Sequence, residues 1–175
     1  MKKKVFIVVS LVFIFGLQNV FAQKKTETER QVSRIRSGVL RTNKLLSIFK
    51  KTTKMVEGVS TEGTEVTFYK STAGLKKMHA EIAGETFYVK TDYYYSDRGE
   101  LVFIFSRLSR YNTQIGMTPP PKIVRIEEKR IYFANGKMVK KIKTVTETEF
   151  GSEAQNSEKD ILELEKLFQK AFITK

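Results

Sequence analysis

Over residues 63–146 the apolar side chains of this chain recur at every second position, and no other feature restricts the fold as much. Val66 and Phe68 alternate with Glu65 and Thr67, and Met78, Ala80 and Ile82 with Lys77, His79 and Glu81. Phe87, Val89, Thr91, Tyr93 and Tyr95 alternate with Tyr88, Lys90, Asp92 and Tyr94. Successive side chains of a strand point to opposite faces, so these segments predict β-strands with one face turned to a core. Leu101-Val102-Phe103-Ile104-Phe105 has no polar face, which predicts a central strand covered by a helix on at least one side. Val124, Ile126 and Tyr132 supply a further strand, and residues 138–145 the last.

Turn chemistry divides these strands into hairpins. Ser96-Asp97-Arg98-Gly99 separates Tyr93-Tyr94-Tyr95 from Leu101-Val102-Phe103, and Ser71-Thr72-Ala73-Gly74 separates Phe68-Tyr69 from Leu75. Ala134-Asn135-Gly136 separates Ile131-Tyr132-Phe133 from Met138-Val139. Asn-Gly tolerates positive φ at both central positions of a two-residue turn and is a strong hairpin signal. Paired aromatics, a short turn with Gly and an aliphatic or Lys-rich return strand form a weak internal repeat. Its simplest form is an antiparallel meander of about six strands.

Outside this region the period changes to 3.6. Across residues 28–50, Val32, Ile35, Val39, Leu46 and Phe49 fall within roughly 100° of one another on a helix, and Arg30, Arg34, Arg41, Lys44 and Lys51 gather opposite them. Gly38 and Thr42-Asn43 weaken the middle of this helix and mark a place for a break. A second helix follows Ser157, which has capping-box spacing with Asp160; Ile161, Leu164, Leu167, Phe168, Ala171 and Phe172 form its apolar stripe. The polar linker over residues 147–156 is expected to be mobile. One sheet flanked by an N-terminal and a C-terminal helix is an α+β fold.

At the start of the chain, Lys2, Lys3 and Lys4 precede residues 5–15, which are apolar except for Ser10. Val20-Phe21-Ala22 then presents the small or apolar residues of a signal-peptidase site before Gln23. The run falls short of the about 20 apolar residues that span a bilayer. Residues 1–22 are therefore expected to be a cleaved signal peptide, with a retained anchor as the alternative. No Cys follows, so lipoprotein anchoring is not expected. Residues 23–175 then form a single domain, periplasmic or secreted, after cleavage near Ala22-Gln23.

Export without cysteine leaves the domain resting on its core alone, which suits a bacterial periplasm better than a eukaryotic secretory route. It also excludes thiol catalysis, redox exchange and Cys-based zinc sites. His79 is the only histidine, so multi-histidine metal sites are excluded too. No Gly-rich phosphate loop is present. Neither a cofactor nor a metal is expected.

Charge is distributed unevenly. Without the leader's three lysines, 29 basic side chains face 19 acidic ones, and residues 23–54 alone carry ten against two. A basic segment on a near-neutral body favours anionic partners, although it is also compatible with a plain solvated face.

The segments Ser60-Thr61-Glu62-Gly63, Phe68-Tyr69, Leu75-Lys76-Lys77-Met78, Gly84-Glu85, Tyr93-Tyr94-Tyr95, Gly99-Glu100-Leu101-Val102-Phe103 and Tyr111-Asn112 share a pattern with one family. Together with Arg130-Ile131-Tyr132-Phe133-Ala134-Asn135-Gly136-Lys137-Met138, they resemble small exported proteins of Bacteroidetes-type bacteria with repeated YYF-x-x-G-K-L hairpins. The resemblance implies export and a meander, and brings no activity and no functional residues with it.

Candidate chemistry is sparse. His79 lies on the polar side of its strand beside Lys77 and Glu81, with no second histidine or activated nucleophile nearby in sequence, which points to a surface histidine. Glu81, Glu85, Asp92 and Asp97 offer a general acid and base only where two of them converge at hydrolase spacing. Asp97 is better explained by its turn, and Asp92 by cross-strand pairing with Lys or Arg. Tyr88, Tyr93, Tyr94, Tyr95, Phe103 and Phe105 serve either as a stacking platform or as packing, with Tyr94 on the face opposite Tyr93 and Tyr95. Three prolines, 119 to 121, stiffen the irregular stretch 111–121, which is either a docking loop or a spacer; Tyr111 and Met117 are its notable side chains.

The expected function is that of an exported, non-enzymatic binding module of the bacterial envelope. Its candidate ligand-binding residues are Arg30, Arg34, Arg41, Lys44, Tyr94, Tyr111 and Met117, and its partner an envelope protein or an anionic polymer. The alternatives are a carboxylate-based hydrolase on the sheet, and electrostatic attachment to anionic membrane or polysaccharide through the basic helix. The last requires that the helix's apolar stripe is not already spent on the core. A monomer is expected, and sequence-specific nucleic-acid binding is not.

Overall fold

The computed structural model describes residues 26–60, 64–148 and 157–174. The expected leader, its cleavage point and nearly all of the 147–156 linker lie outside these residues. Helix α1 (Glu27–Lys44) begins at Thr26, whose hydroxyl accepts the Glu29 N–H while the Glu29 carboxylate accepts the Thr26 N–H at 2.8 Å. This reciprocal cap satisfies two of the donors that a helix start leaves unpaired. The helix continues through Gly38 and stops after Lys44; a 3-10 turn, Leu46–Ile48, leads into strand β1 (Lys50–Val56). The helix expected over residues 28–50 is thus shorter. Leu46 and Phe49 lie past its end, and Lys51 belongs to a strand.

Six more strands follow: β2 (Thr64–Ser71), β3 (Gly74–Gly84), β4 (Phe87–Tyr95), β5 (Leu101–Tyr111), β6 (Ile123–Ala134) and β7 (Lys137–Glu147). Helix α2 (Glu158–Ile173) comes last. Each strand pairs antiparallel with its sequence neighbours, so one seven-stranded sheet runs from β1 to β7 in chain order. The count is seven rather than about six. The additional strand, β1, buries only Val56 and has no apolar alternation to read. It is an edge, as is β7, and both carry lysines: Lys50, Lys51 and Lys54 on one, Lys137, Lys140, Lys141 and Lys143 on the other. Charged edges oppose pairing with a foreign strand. Between β6 and β7, Asn135 and Gly136 have φ of 52° and 71°, the left-handed pair that a tight hairpin demands.

A helix covers each face of the sheet. Phe68, Met78, Tyr93, Ile104 and Ile131 stand directly opposite one another across β2 to β6, each at most 1% exposed. Ile161 and Phe168 of α2 seat on this side of the sheet. The Tyr93 hydroxyl donates to the Ile161 carbonyl at 3.1 Å, and the Tyr93 and Phe168 rings meet edge-on at 6.2 Å. Burying Phe168 contributes about 2–3 kcal/mol. The other face meets α1, whose Val32, Ile35 and Val39 pack on Tyr94, Phe103 and Tyr132.

Strand β5 serves both cores by alternation, with Ile104 on the α2 side and Phe103 on the α1 side, and a bulge resets the register at its start. Tyr94 pairs with Phe103 but Tyr95 pairs with Leu101, so Val102 is skipped. Val102 then joins Phe103 on the α1 side, while Leu101 joins Tyr95 on the α2 side. Helix α2 is held at both ends. Ser157 and Asp160 form the expected capping box, Glu158 pairs with Lys141 of β7, and Lys54 of β1 donates to the Ala171 carbonyl at 2.6 Å. Among the described residues no helix is long and apolar enough to cross a membrane.

Candidate functional site

Because α1 crosses one face of the sheet and ends near the hairpin turns, it leaves a groove of about 460 Å³ against the β2–β3 and β4–β5 turns. Ile35, Val39, Phe49 and Val102 give it an apolar lining, and Arg34 and Arg41 bring cations from the helix. Both arginines are exposed, and neither forms an ion pair among the described residues. A Cβ at Gly38, between them, would meet nothing within 4 Å, so the groove stays open over the helix backbone.

The opposite wall is electrically settled. Lys76 is bonded to Asp97 at 2.6 Å and is only 7% exposed as a side chain. The Lys76 hydrogen bond, with help from nearby Arg41, holds the Asp97 carboxyl below its usual range. The turn itself rests on Ser96, whose hydroxyl accepts the Arg98 and Glu100 N–H groups at 3.2 Å each, so Asp97 faces Lys76 instead of closing the turn.

Of the residues singled out from sequence, the groove gathers Arg34, Arg41 and Tyr94. Arg30 lies at the start of α1, 4.0 Å from Glu27, and Lys44 is exposed in its last turn. Tyr94 is 4% exposed and offers no open stacking face. Its ring lies 5.7 Å from Phe103 and 5.0 Å below the Lys77 ammonium, and its hydroxyl donates to Asn43 at 3.0 Å. Tyr93 and Tyr95 are buried on the other side, because both faces of this sheet are covered.

Tyr111 and Met117 do not join this site. They lie at the other end of β5 from the β4–β5 turn. Tyr111 closes β5 and donates its N–H to Thr86 at 2.9 Å. Asn112 and Lys122 clasp the loop base through bonds of 3.0 and 2.9 Å, and Ile115 bonds Glu85 at 2.7 Å. The 111–121 loop is therefore folded onto the β3–β4 turn, with Met117 left 54% exposed.

Next to α1, the Tyr94 hydroxyl that donates to Asn43 lies 3.5 Å from Asp92, and from Asp92 hydrogen bonds run on through His79 and Glu81 to Tyr88. His79 Nδ1 is 2.7 Å from Asp92 and its Nε2 3.0 Å from Glu81, so one imidazole joins two carboxylates. The Asp92 bond raises the His79 pKa above its ordinary value, favouring the imidazolium. Burial pushes Asp92 up, but bonds from His79 and Lys77 outweigh it and hold the carboxyl low. Glu81 is pulled to about 2, first by the Tyr88 hydroxyl and then by His79. The ring of His79 thus brings Asp92 and Glu81 to one place on the sheet. Both are held ionised, however, and a general acid needs a carboxyl raised toward neutrality.

Among the described residues the carboxyl that is raised is Glu165, through burial on the sheet-facing side of α2, where Tyr95 and Gln169 donate to it at 2.8 and 2.6 Å. It escaped the sequence reading because the stripe was drawn through apolar residues alone; its spacing, four after Ile161 and three before Phe168, places it on the buried side. Among the described residues no group of three or more His, Asp or Glu is placed to hold a metal ion. Compared with protein-family models, curated proteins and solved structures, the chain matches none of them.

Proposed function

We propose that this protein is an exported, non-catalytic binding module of the bacterial envelope that takes an anionic polymer along the α1 groove. The observation that carries the reading is the pair Arg34 and Arg41, exposed and without ion pairs among the described residues, above an apolar lining. Two helical turns apart, they are separated by about 10 Å along the axis, a spacing that serves repeated negative groups better than a single one. Lys44 extends the same charge at the last turn of the helix, while Arg30 lies beside Glu27 in the first. The basic n-region, apolar run and Ala22-Gln23 junction support export. Since Val32, Ile35 and Val39 are engaged by the sheet, attachment to a membrane through this helix would be electrostatic only.

The test replaces Arg30, Arg34, Arg41 and Lys44 together by Gln and compares retention on immobilised heparin. Exposed charges are screened over about 8 Å at physiological ionic strength, so wild-type retention should fall steeply with salt. The quadruple variant should elute at clearly lower salt while keeping its circular dichroism, since each exposed charge contributes only tenths of a kcal/mol to folding. Elution of both proteins at the same salt would reduce the stripe to a solvated face.

A further inference from the structure

On the far side of the sheet from the α1 groove, α2 and the ends of β3, β4 and β5 line a second groove, of about 440 Å³. The space is a groove open to solvent, and small-molecule sites begin near 300 Å³. Ile82, Val89 and Leu108, a cluster linked through Val59 and Leu164 to the one around Phe168, line it from the sheet. Leu164 and Leu167 of α2 roof it, with Leu167 still 37% exposed. Phe87 stands at one wall, its ring laid over Gly84 so closely that a Cβ there would be 2.3 Å away.

This apolar space has one cationic wall. Arg110 lines it, and its Nε is buried with no hydrogen-bond partner among the described residues. Directly across the strand pair stands Arg125, whose Nε is likewise buried and unpartnered. Arg125 has Glu127 at 3.3 Å and pairs with Glu147, whereas Arg110 forms no ion pair among the described residues. Two like charges facing each other across strands are destabilising, and an unbonded buried N–H costs more than an exposed one. The acids at the rim are already engaged: Asp160 caps α2 and Glu163 lies 3.8 Å from Lys159. An anion against the part of the Arg110 side chain that lines the space would offset the like charge of Arg125, and an alkyl chain behind it would lie along Ile82, Leu108 and Leu164.

We infer that this second groove binds a free medium-chain carboxylate, head group on Arg110 and chain beneath α2. It is separate from the α1 groove and stands whether or not the groove binds polyanions. Calorimetric titration of the purified protein with decanoate, decanol and acetate tests it, with Arg110→Gln and the groove-filling Leu164→Phe as variants. Decanoate should bind once per chain, at least tenfold more tightly than decanol, and acetate should show no saturable binding. Arg110→Gln should weaken decanoate at least tenfold and leave decanol unchanged, whereas Leu164→Phe should weaken both. Arg110→Gln, at the rim, retains the core beneath α2 and serves where Leu164→Phe does not fold. Equal affinity for decanoate and decanol, no effect of Arg110→Gln, or no saturable decanoate binding would each overturn the assignment.

Discussion

Replacing Phe103 by Ala is expected to lower stability by about 3–5 kcal/mol in urea unfolding, the usual range for a large aromatic removed from a core. The ring is 8% exposed and lies between Tyr94 and Tyr132, with centroids at 5.7 and 4.9 Å. It is also part of the cluster on which Val32, Ile35 and Val39 of α1 dock. The cavity left behind would open directly under the helix, so the contacts of α1 would weaken along with those of the sheet. A loss below about 1 kcal/mol would mean that β5 is not an interior strand seated against α1.

A comparable loss, about 3 kcal/mol or more, is expected for Glu127→Ala, by a different mechanism. The Glu127 carboxylate is 2% exposed and receives Lys129 at 2.9 Å, Lys143 at 3.0 Å and Arg125 at 3.3 Å. Burial pushes its pKa up, but the bonds from Lys129 and Lys143 outweigh that and hold it below the usual carboxylate range. Removing the anion takes one acceptor from two enclosed side chains, Lys129 at 7% exposed and Arg125 at 10% exposed, although Arg125 keeps Glu147. Breaking a buried ion cluster on one side is costly because the remaining charge stays desolvated. Lys143 is 45% exposed and can turn to water, which keeps the expected loss at the lower end of the range. Denaturant unfolding decides this as well: a change below about 1 kcal/mol would show that the cluster is effectively solvated.

The strands were legible in sequence wherever one face was apolar and the other polar, because the pleat imposes a period of two. That held for Val66 to Val89, whereas residues 101–105 have no polar face in sequence, and there Ile104 and Phe103 are buried against different helices. It failed for β1, where Lys50 to Met55 are mostly exposed and backbone pairing to β2 alone makes the strand. The break marked at Thr42-Asn43 lies close to the end of α1 at Lys44, whereas Leu46 and Phe49 continue the helical spacing although the backbone turns at Leu45 into a 3-10 turn. Asn135-Gly136 and Ser157-Asp160 were read correctly, since both act through their own local backbone.

The candidate sites were less legible, because they are made by tertiary placement. Nothing local to Arg34 or Arg41 shows that the β4–β5 turn will stand opposite them, nor that Lys76 will neutralise Asp97 there. Tyr94 was expected on a different face from its neighbours, and it is; its burial followed only once α1 was seen to cover that face. The pairing of Arg110 with Arg125 across β5 and β6 depends on register, which the 111–121 loop leaves undetermined in sequence. His79 lay between Lys77 and Glu81 as its strand required, but its bond to Asp92 needed the β3–β4 register.

The most direct measurement is backbone amide NMR of the isotope-labelled protein titrated with a heparin oligosaccharide. Binding along α1 should shift amides from Arg34 to Arg41 and, across the groove, those of Ala73, Ser96 and Asp97, and added salt should reverse the shifts. The rival surface is the lysine-bearing edge strand with Lys137, Lys140, Lys141 and Lys143. Shifts confined to that edge, or none at all, would contradict the assignment of the α1 groove.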